Sequence, residues 1–376
     1  MKTIFHVIET NGPGGAETVF IQLATRDSKE HYRNVAAFPG QGWVGDTLNA
    51  EGLAPIDLTI SRARPAVDVG LYRNLVRLIR ENEVDLLHSH AFGISVYACL
   101  AGLRTGVPVV CTLHGDLDLG RSRRWRRIKL AIMKYGASKI VLVSNHLRER
   151  FLGESSIPAS QTAVVHNGVD CDRHSGAADR TFRAELGIGD DCLLFGAIGN
   201  VRILKAYDNL LRATAIAVKT NPKLRVAVIG EASGPLFEGL LELRAELGLQ
   251  DIVHFVGFRP DITIPLRSFD AFVLSSKSEG FSIATVQAMA SGLPLVATRS
   301  GGPEEIVTDG VDGLLVPRAD PDALAAGMLC LAGDSELRAR LGAAARASAR
   351  AKFSLAKMLE SYEEIYDAAL ARNGRT

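Results

Sequence analysis

The sequence predicts an α/β protein made of two doubly wound parallel-sheet domains in tandem. Three observations predict it. Short apolar runs alternate with amphipathic stretches, the pattern of strands and crossover helices in a parallel sheet. That rhythm breaks once, over residues 167–191 (NGVDCDRHSGAADRTFRAELGIGDD), which are polar and rich in Gly and Asp, and then restarts. A chain of 376 residues, 47% hydrophobic, is also long enough to bury two separate cores.

The first strand falls at residues 3–9 and is followed by the glycine-rich loop Asn11-Gly-Pro-Gly-Gly-Ala-Glu17 and an amphipathic helix to about Asp27. Strands are then expected at 34–38, 55–59, 85–90, 109–113, 139–143 and 162–166, with helices at 44–51, 68–82, 93–106, 123–136 and 145–151 between them. Beyond the break, which carries a short helix near 181–186, strands fall at 193–198, 224–229, 252–255, 271–274, 295–297 and 313–316. Helices lie at 207–220, 236–247, 282–291 and 321–331, and the tail at 335–371 is helical with a break near Phe353-Ser354. The first domain is taken as 1–175 with a returning helix at about 355–376, and the second as 176–354.

Residues 271–300, AFVLSSKSEGFSIATVQAMASGLPLVATRS, carry the clearest unit. A buried strand runs into a polar loop, and Ser282 is a good N-cap for a helix whose Ile283, Val286, Met289 and Ala290 share one face. Gly292 and Pro294 end that helix before the next strand. Glu279, Gly280, Phe281 and Ser282 therefore stand at the carboxyl end of a strand and the amino end of a helix. Open α/β sheets bind ligands there, and the helix N–H groups suit a phosphate.

Composition narrows the function classes. Forty-three basic against 42 acidic residues leave a net charge of +1, so overall charge names no partner and nucleic acid has no support. Five scattered cysteines without a C-x-x-C fit reduced thiols in a cytosolic protein rather than a disulfide frame or zinc site. The apolar run before Glu9 is too short for a signal peptide, and no window of ~18 uncharged apolar residues is present to span a membrane.

Several groups outside 271–300 are placed for chemistry. The loop from Gly12 to Glu17 lacks both G-x-G-x-x-G and a P-loop ending, which disfavours a dinucleotide; it is either a close approach to a ligand or a tight turn. His114 ends a strand, as a ligand contact or a structural residue. His88 and His90 put two imidazoles on one strand face, but no third ligand is evident from the spacing and no metal is expected. Arg202 and Lys205 lie between a strand and a helix, where two cations neutralise a diphosphate or are simply solvated. The cluster from Arg121 to Lys134, RSRRWRRIKLAIMK, is either an anionic-membrane or acidic-acceptor contact or a helix with one solvated basic face.

With these pieces placed, the sequence resembles the retaining glycosyltransferases of family 4, which have the GT-B fold of two Rossmann-like domains facing across a cleft. The matching residues are Gly14-Gly-Ala-Glu17, Asp85-Leu-Leu-His-Ser-His90, Thr112-Leu-His-Gly115, Val143-Ser144, Asn167-Gly-Val-Asp170, Gly199 through Lys205, Ser278-Glu-Gly-Phe-Ser282, Ala288 through Ala297, Gly301-Gly-Pro-Glu-Glu305 and Gly310 through Val316. They run in the family's order through nearly the whole chain.

The resemblance implies a nucleotide-sugar donor, a UDP- or GDP-sugar, held by the second domain and passed to a glycan or lipid-linked acceptor. Arg202 and Lys205 look like the family's basic pair on the diphosphate, and Gly14 and Gly15 bring backbone close to it. Glu279 looks like the first acid of the E-x7-E pattern, holding sugar hydroxyls. Gly280, Phe281 and Ser282 offer backbone N–H groups, His114 stands beside the sugar, and the turn holding Phe258 and Arg259 lies near the base. Glu279, His114, Arg202 and Lys205 are the expected catalytic group; no metal or other cofactor is implied. Asp116-Leu-Asp118 spells a D-x-D but follows His114, and is taken as loop or acceptor-side polarity.

Two departures stand out. Gln287 occupies the place of the second acid, where a glutamine amide still accepts a ribose hydroxyl but brings no charge. Ala206 replaces the usual glycine after the lysine. The reading is a cytoplasmic retaining transferase of surface polysaccharide, lipopolysaccharide or glycolipid biosynthesis, peripheral at the membrane through residues 121–134. The competitors are a GT-B nucleotide-sugar epimerase, a catalytically weak nucleotide-sugar binding protein, and an NAD-dependent dehydrogenase.

Overall fold

The computed structural model describes residues 1–25, 32–58, 68–115, 123–372 and 374. They form two compact units, one of Met1–Asn167 with Met358–Thr376 and one of Gly168–Lys357. The division thus falls earlier than the 175/176 boundary read from the sequence. Residues 168–191 pack as part of the second unit: Arg183 is fully buried there, donating to the Asp270 carboxylate at 2.8 Å and to the Ser268 carbonyl at 3.2 Å. Val169 exchanges backbone hydrogen bonds with Phe353 and Leu355 of the same unit, which ties this segment to the tail.

The first unit comprises β1 (Lys2–Ile8), α1 (Gly15–Thr25), β2 (Tyr32–Phe38), α2 (Trp43–Ala50), β3 (Ile56–Asp57), α3 (Val69–Glu81), β4 (Leu86–His90), α4 (Phe92–Thr105), β5 (Val109–Leu113), α5 (Arg123–Gly136), β6 (Lys139–Leu142), α6 (Asn145–Glu154) and β7 (Thr162–Val164). Its seven strands are parallel, in the order β3-β2-β1-β4-β5-β6-β7. The strand order reverses between β1 and β4, which makes the carboxyl ends of those strands the ligand-binding edge of a doubly wound sheet. Val109–Leu113 is buried throughout, as a central strand covered by helices on both faces must be.

The second unit comprises α7 (Thr181–Glu185), β8 (Leu193–Ile198), α8 (Tyr207–Thr220), β9 (Leu224–Ile229), α9 (Gly234–Glu246), β10 (Val253–Gly257), α10 (Thr263–Ser268), β11 (Ala271–Leu274), α11 (Ile283–Ala290), β12 (Leu295–Thr298), α12 (Pro303–Ile306), β13 (Leu314–Val316), α13 (Pro321–Gly333) and α14 (Ser335–Lys352). Its parallel order β10-β9-β8-β11-β12-β13 repeats the same winding, with its switch point between β8 and β11. Phe195, Val226, Val273 and Val296 from the sheet pack against Leu210, Leu324 and Met328 from the helices. Two short helices, α10 and α12, were not expected; at six and four residues they are too short to show a hydrophobic period.

The last helix, α15 (Leu355–Arg372), belongs from Met358 onward to the first unit. It buries Met358, Leu359, Tyr362, Tyr366, Ala369 and Leu370 there. Its two tyrosines also deliver hydroxyls to the sheet: Tyr362 Oη meets Thr112 Oγ1 at 3.1 Å and Tyr366 Oη meets His88 Nδ1 at 2.7 Å. Among the described residues no helix is long and apolar enough to cross a membrane.

Candidate active site

In the second unit the site is built where β8 and β11 end, on either side of the switch point. The loop after β8 holds Arg202, which is exposed, and a single 3₁₀ turn at Ile203–Lys205. Ala206 then sits at φ 50°, ψ 48°, the left-handed region, and starts α8. A side chain there carries a backbone cost that glycine avoids, about 1 kcal/mol. The Ala206 side chain is buried in this turn. Behind the turn, Tyr207 donates its hydroxyl to the Gly199 carbonyl at 2.6 Å. Burial, reinforced by the negative Glu279 nearby, raises the Tyr207 pKa and keeps it a donor.

Lys205 reaches across to the loop after β11, where its Nζ is 2.7 Å from Glu279 Oε1. Ser276 donates its hydroxyl to the same oxygen at 2.6 Å. The backbone of Glu279 is clamped as well: its N–H donates to the Ser300 carbonyl at 2.8 Å, and its carbonyl accepts from Gly302 N–H at 2.9 Å. Gly302 is required for that clamp, because a Cβ there would lie 2.7 Å from the Gly280 carbonyl and 2.8 Å from Phe281 Cα. Glu279 is only 11% exposed and Lys205 21%, so the pair is partly desolvated and worth more than a surface bridge. One carboxylate oxygen is thus held by the protein, leaving the other as an acceptor for a ligand hydroxyl.

The remaining candidate residues play separate parts. Ser282 caps α11, its Oγ accepting from the Thr285 N–H at 3.3 Å and the Thr285 hydroxyl at 2.8 Å. Phe281 is a packing residue, buried with its ring edge-on to Phe353 at 5.7 Å. Gln287 lies half-buried on α11, about one turn beyond the helix start. Phe258 is exposed in the turn after β10, but Arg259 beside it is paired with Glu185 of α7. The guanidinium is therefore engaged in holding two segments together. Sequence reasoning missed Ser276, Tyr207 and the Ser300 carbonyl, which act through contacts to Glu279 and Gly199 and belong to no recognisable spacing.

In the first unit Gly14 and Gly15 open α1, directly beyond the carboxyl end of β1. The same edge carries a group of imidazoles. The β1–β4 register pairs His6 with His88, and the β4–β5 register sets His90 beside Thr112, two residues before His114. His6, His88 and His90 bring one ring nitrogen each within 4.8 Å of the others, so His6 supplies a third imidazole that strand spacing alone does not reveal. Both nitrogens of His88 are engaged by hydroxyls, whereas His6 Nδ1 and His90 Nε2 are buried without a hydrogen-bond partner. His88 has Nδ1 on the Tyr366 hydroxyl at 2.7 Å and Nε2 on the Thr112 hydroxyl at 2.8 Å. His6 Nε2 donates to Asn34 Oδ1 at 3.4 Å. Burial lowers His6 and His114 to about 4 and holds His88 and His90 well below the ordinary imidazole range. Asp116, Asp118 and Arg121 lie outside the described residues.

Two doubly wound units in tandem, each with its candidate residues at a switch point, match the GT-B architecture. The family model "Glycosyltransferase Family 4" matches residues 13–173, and "Glycosyl transferases group 1" matches residues 178–348. The D-inositol 3-phosphate glycosyltransferase of Streptomyces scabiei is 34% identical over 311 residues, covering 77% of this chain and 69% of the relative. That of Geodermatophilus obscurus is 30% identical over 358 residues, covering 90% and 75%. The chain belongs to the group 1 glycosyltransferases of family 4. In fold it is similar to Anabaena HepE, solved with UDP-glucose, with TM-score 0.88 at 22% identity over 98% of this chain and 100% of that one. A glycosyltransferase of Rickettsia africae gives TM-score 0.86 at 22% identity, covering 98% of each chain.

Proposed function

We propose that the chain moves a sugar from a nucleotide-sugar donor to a glycan or lipid-linked acceptor with retention at the anomeric carbon and without a divalent metal, in surface polysaccharide, lipopolysaccharide or glycolipid synthesis. The observation that carries the reading is the Lys205–Glu279 pair at the second unit's switch point, with Arg202 on one side and the amino end of α11 on the other. Arg202 and Lys205 supply positive charge to a diphosphate, and the helix end adds N–H groups. Glu279 accepts from hydroxyls of the donor sugar, and Gln287 from the ribose. In the reaction the bond from the anomeric carbon to the phosphate oxygen breaks as the acceptor oxygen attacks the same face. The acceptor proton passes to the departing phosphate.

A thermal-shift panel of UDP-, GDP- and ADP-sugars tests the donor. A ligand that binds the native form raises Tm, by about 2.7 kcal/mol of stability at a hundred times its Kd, and a flat panel sinks the reading. Retention is read from the anomeric configuration of the product by NMR, and metal independence from unchanged turnover in excess EDTA. Lipid-linked acceptors are assayed beside D-inositol 3-phosphate, the acceptor in the relatives' name.

Helix α5 favours a membrane contact as part of this function. Its sequence RRWRRIKLAIMKYG contains no acid. Leu130 and Met133 face inward, while Trp125, Ile128 and Tyr135 are 48%, 39% and 75% exposed on another face beside exposed Arg127. An apolar stripe inside a cationic helix suits an anionic bilayer surface. Sedimentation with phosphatidylglycerol vesicles should fall when Arg123, Arg124, Arg126 and Arg127 are neutralised, and unaltered binding counts against the contact.

A further inference from the structure

Ser275 is the first residue beyond β11 and is 2% exposed. Its hydroxyl reaches the loop after β8 and donates to the Lys205 carbonyl at 2.9 Å. Two more contacts run beside it. The Lys277 N–H donates to the Leu204 carbonyl at 2.7 Å, and Lys205 Nζ meets Glu279 Oε1 at 2.7 Å. The loops that carry Lys205 and Glu279 are thus seamed through their backbones as well as through the ion pair.

The loop after β11 is the fixed side of that seam. The strand is buried throughout and paired with β8 on one side and β12 on the other. Thr298, at the end of β12, donates its buried hydroxyl to the Ser276 carbonyl at 2.6 Å. The other side of the seam is a strained turn. The carbonyl that Ser275 holds belongs to the peptide plane directly before Ala206, which stands at φ 50°. Relaxing that left-handed angle swings this plane, so a hydrogen bond on its oxygen opposes the relaxation. The Cα of Lys205 is a corner of the same plane, and the plane therefore directs where the side chain starts. Glu279 cannot do this alone, because a flexible four-carbon stem reaches one carboxylate from several backbone positions.

We propose that Ser275 is a positioning residue for Lys205. By pinning the Lys205 carbonyl it keeps the left-handed turn at Ala206, and with it the ammonium at the place where a diphosphate is bound. The inference rests on the donor reading above and adds to it the residue that sets the cation's position. A serine suits the task, since its hydroxyl donates to a carbonyl without adding a charge that competes for the phosphates.

The first arm of the test uses the full chain alone, labelled with [¹⁵N]lysine, and follows amide hydrogen exchange. Lys277 reports the seam, and Lys219, in the last turn of α8, reports the folded second unit. Each is assigned by its loss in K277R or K219R. In S275A the Lys277 amide should exchange at least about tenfold faster than in the wild type, with Lys219 within about twofold. S275T keeps the hydroxyl and should stay within about threefold of the wild type. S275C keeps the volume but is a weak donor, and should follow S275A. Unchanged exchange at Lys277 in S275A overturns the proposal. Equal acceleration at Lys219 does so too, because the hydroxyl then supports the whole unit rather than the turn. Should S275A fail to fold, S275C against S275T decides the same comparison.

The second arm is turnover with UDP-glucose and GDP-mannose. With whichever donor the wild type uses, kcat should fall about 30-fold in S275A with KM within about threefold. A displaced cation matters most as charge develops on the departing phosphate. In a K205M background S275A should cost less than about twofold, because the hydroxyl acts through the lysine. If K205M is inert, the same cycle is read in the affinity for UDP or GDP by calorimetry. A full loss on top of K205M refutes the positioning, as does unchanged turnover in S275A. A wild type that neither turns over nor binds either sugar nucleotide removes the donor reading, while the exchange data still decide whether Ser275 holds the turn.

Discussion

Mild acid should unfold the first unit through its buried imidazoles. His6, His88 and His90 are wholly buried, and their surroundings are one another, His114, Asn34, Thr112, Tyr362, Tyr366 and Phe20, with no carboxylate among these contacts. Burial takes His6 from 6.5 to about 4, and burial with mutual repulsion holds His88 and His90 well below 6.5. The folded values are depressed, so the unfolded chain binds more protons between the two values. Stability is therefore full above about pH 6.5 and is lost as pH falls toward 4. At pH 5.5 the His6 term alone costs about 1.4 kcal/mol. His88, His90 and His114 add in the same direction. The His6 contribution alone is already a sizeable part of a domain's usual stability of about 5–15 kcal/mol.

The chain's two tryptophans, Trp43 and Trp125, both lie in the first unit, so their fluorescence follows that unit alone. Urea unfolding at pH 7.5 and 5.5 should show the midpoint falling at constant m. In H6N the fall should shrink by about 1.4 kcal/mol, since one of the titrating rings is gone. Equal midpoints at the two pH values, or an H6N variant with the full acid sensitivity, would refute the reasoning.

Four further outcomes follow from the donor site. E279A should lower turnover about 100-fold with the fold intact, because it removes the acceptor held by Lys205 and Ser276; turnover near wild type would displace Glu279 from the site. G302A should cost at least about tenfold in turnover without touching a polar side chain, as its methyl pushes on the Gly280 carbonyl; full activity would show that the clamp on Glu279 is dispensable. Q287E should tighten the donor about fivefold by giving a ribose hydroxyl a charged acceptor, and calorimetry showing weaker binding would remove Gln287 from that role. A206G should raise stability by about 1 kcal/mol by relieving the left-handed alanine, less whatever freedom the unfolded chain gains; a loss would mean the buried methyl outweighs the strain.

The fold was legible because its signals are local. Most of the buried strands are apolar runs, β5 and β11 among them, and such runs fit inside a dozen residues. The segment 168–191 was opaque for the opposite reason. Its polar sequence looks like a free linker, but Arg183 is buried against Asp270, 87 residues away, and nothing near Arg183 announces that partner. The candidate residues of the second unit were likewise easy to place, because Glu279, Gly280 and Ser282 follow one strand and Arg202 and Lys205 another. Ser276 was not, since a serine three residues before an acid has no meaning until the loop turns it onto Oε1. The imidazole group was least legible of all. His6 meets His88 only through strand register, and His88 meets Tyr366 across 278 residues.

The two switch points carry different chemistry. The second unit offers a cation and a carboxylate that hold each other at 2.7 Å. A nearly buried Glu279 left without a partner would pay its full desolvation cost, so the site needs Lys205 there before any ligand arrives. On the proposed reading a diphosphate then draws on Lys205, whose ammonium has three hydrogens and need not release Glu279 to meet it. As that charge is shared, Glu279 keeps the Ser276 hydroxyl and gains sugar hydroxyls, so the donor repairs the site it loosens. The first unit's switch point instead presents imidazoles that burial keeps neutral, so the cation–carboxylate pair comes from the second unit's own residues.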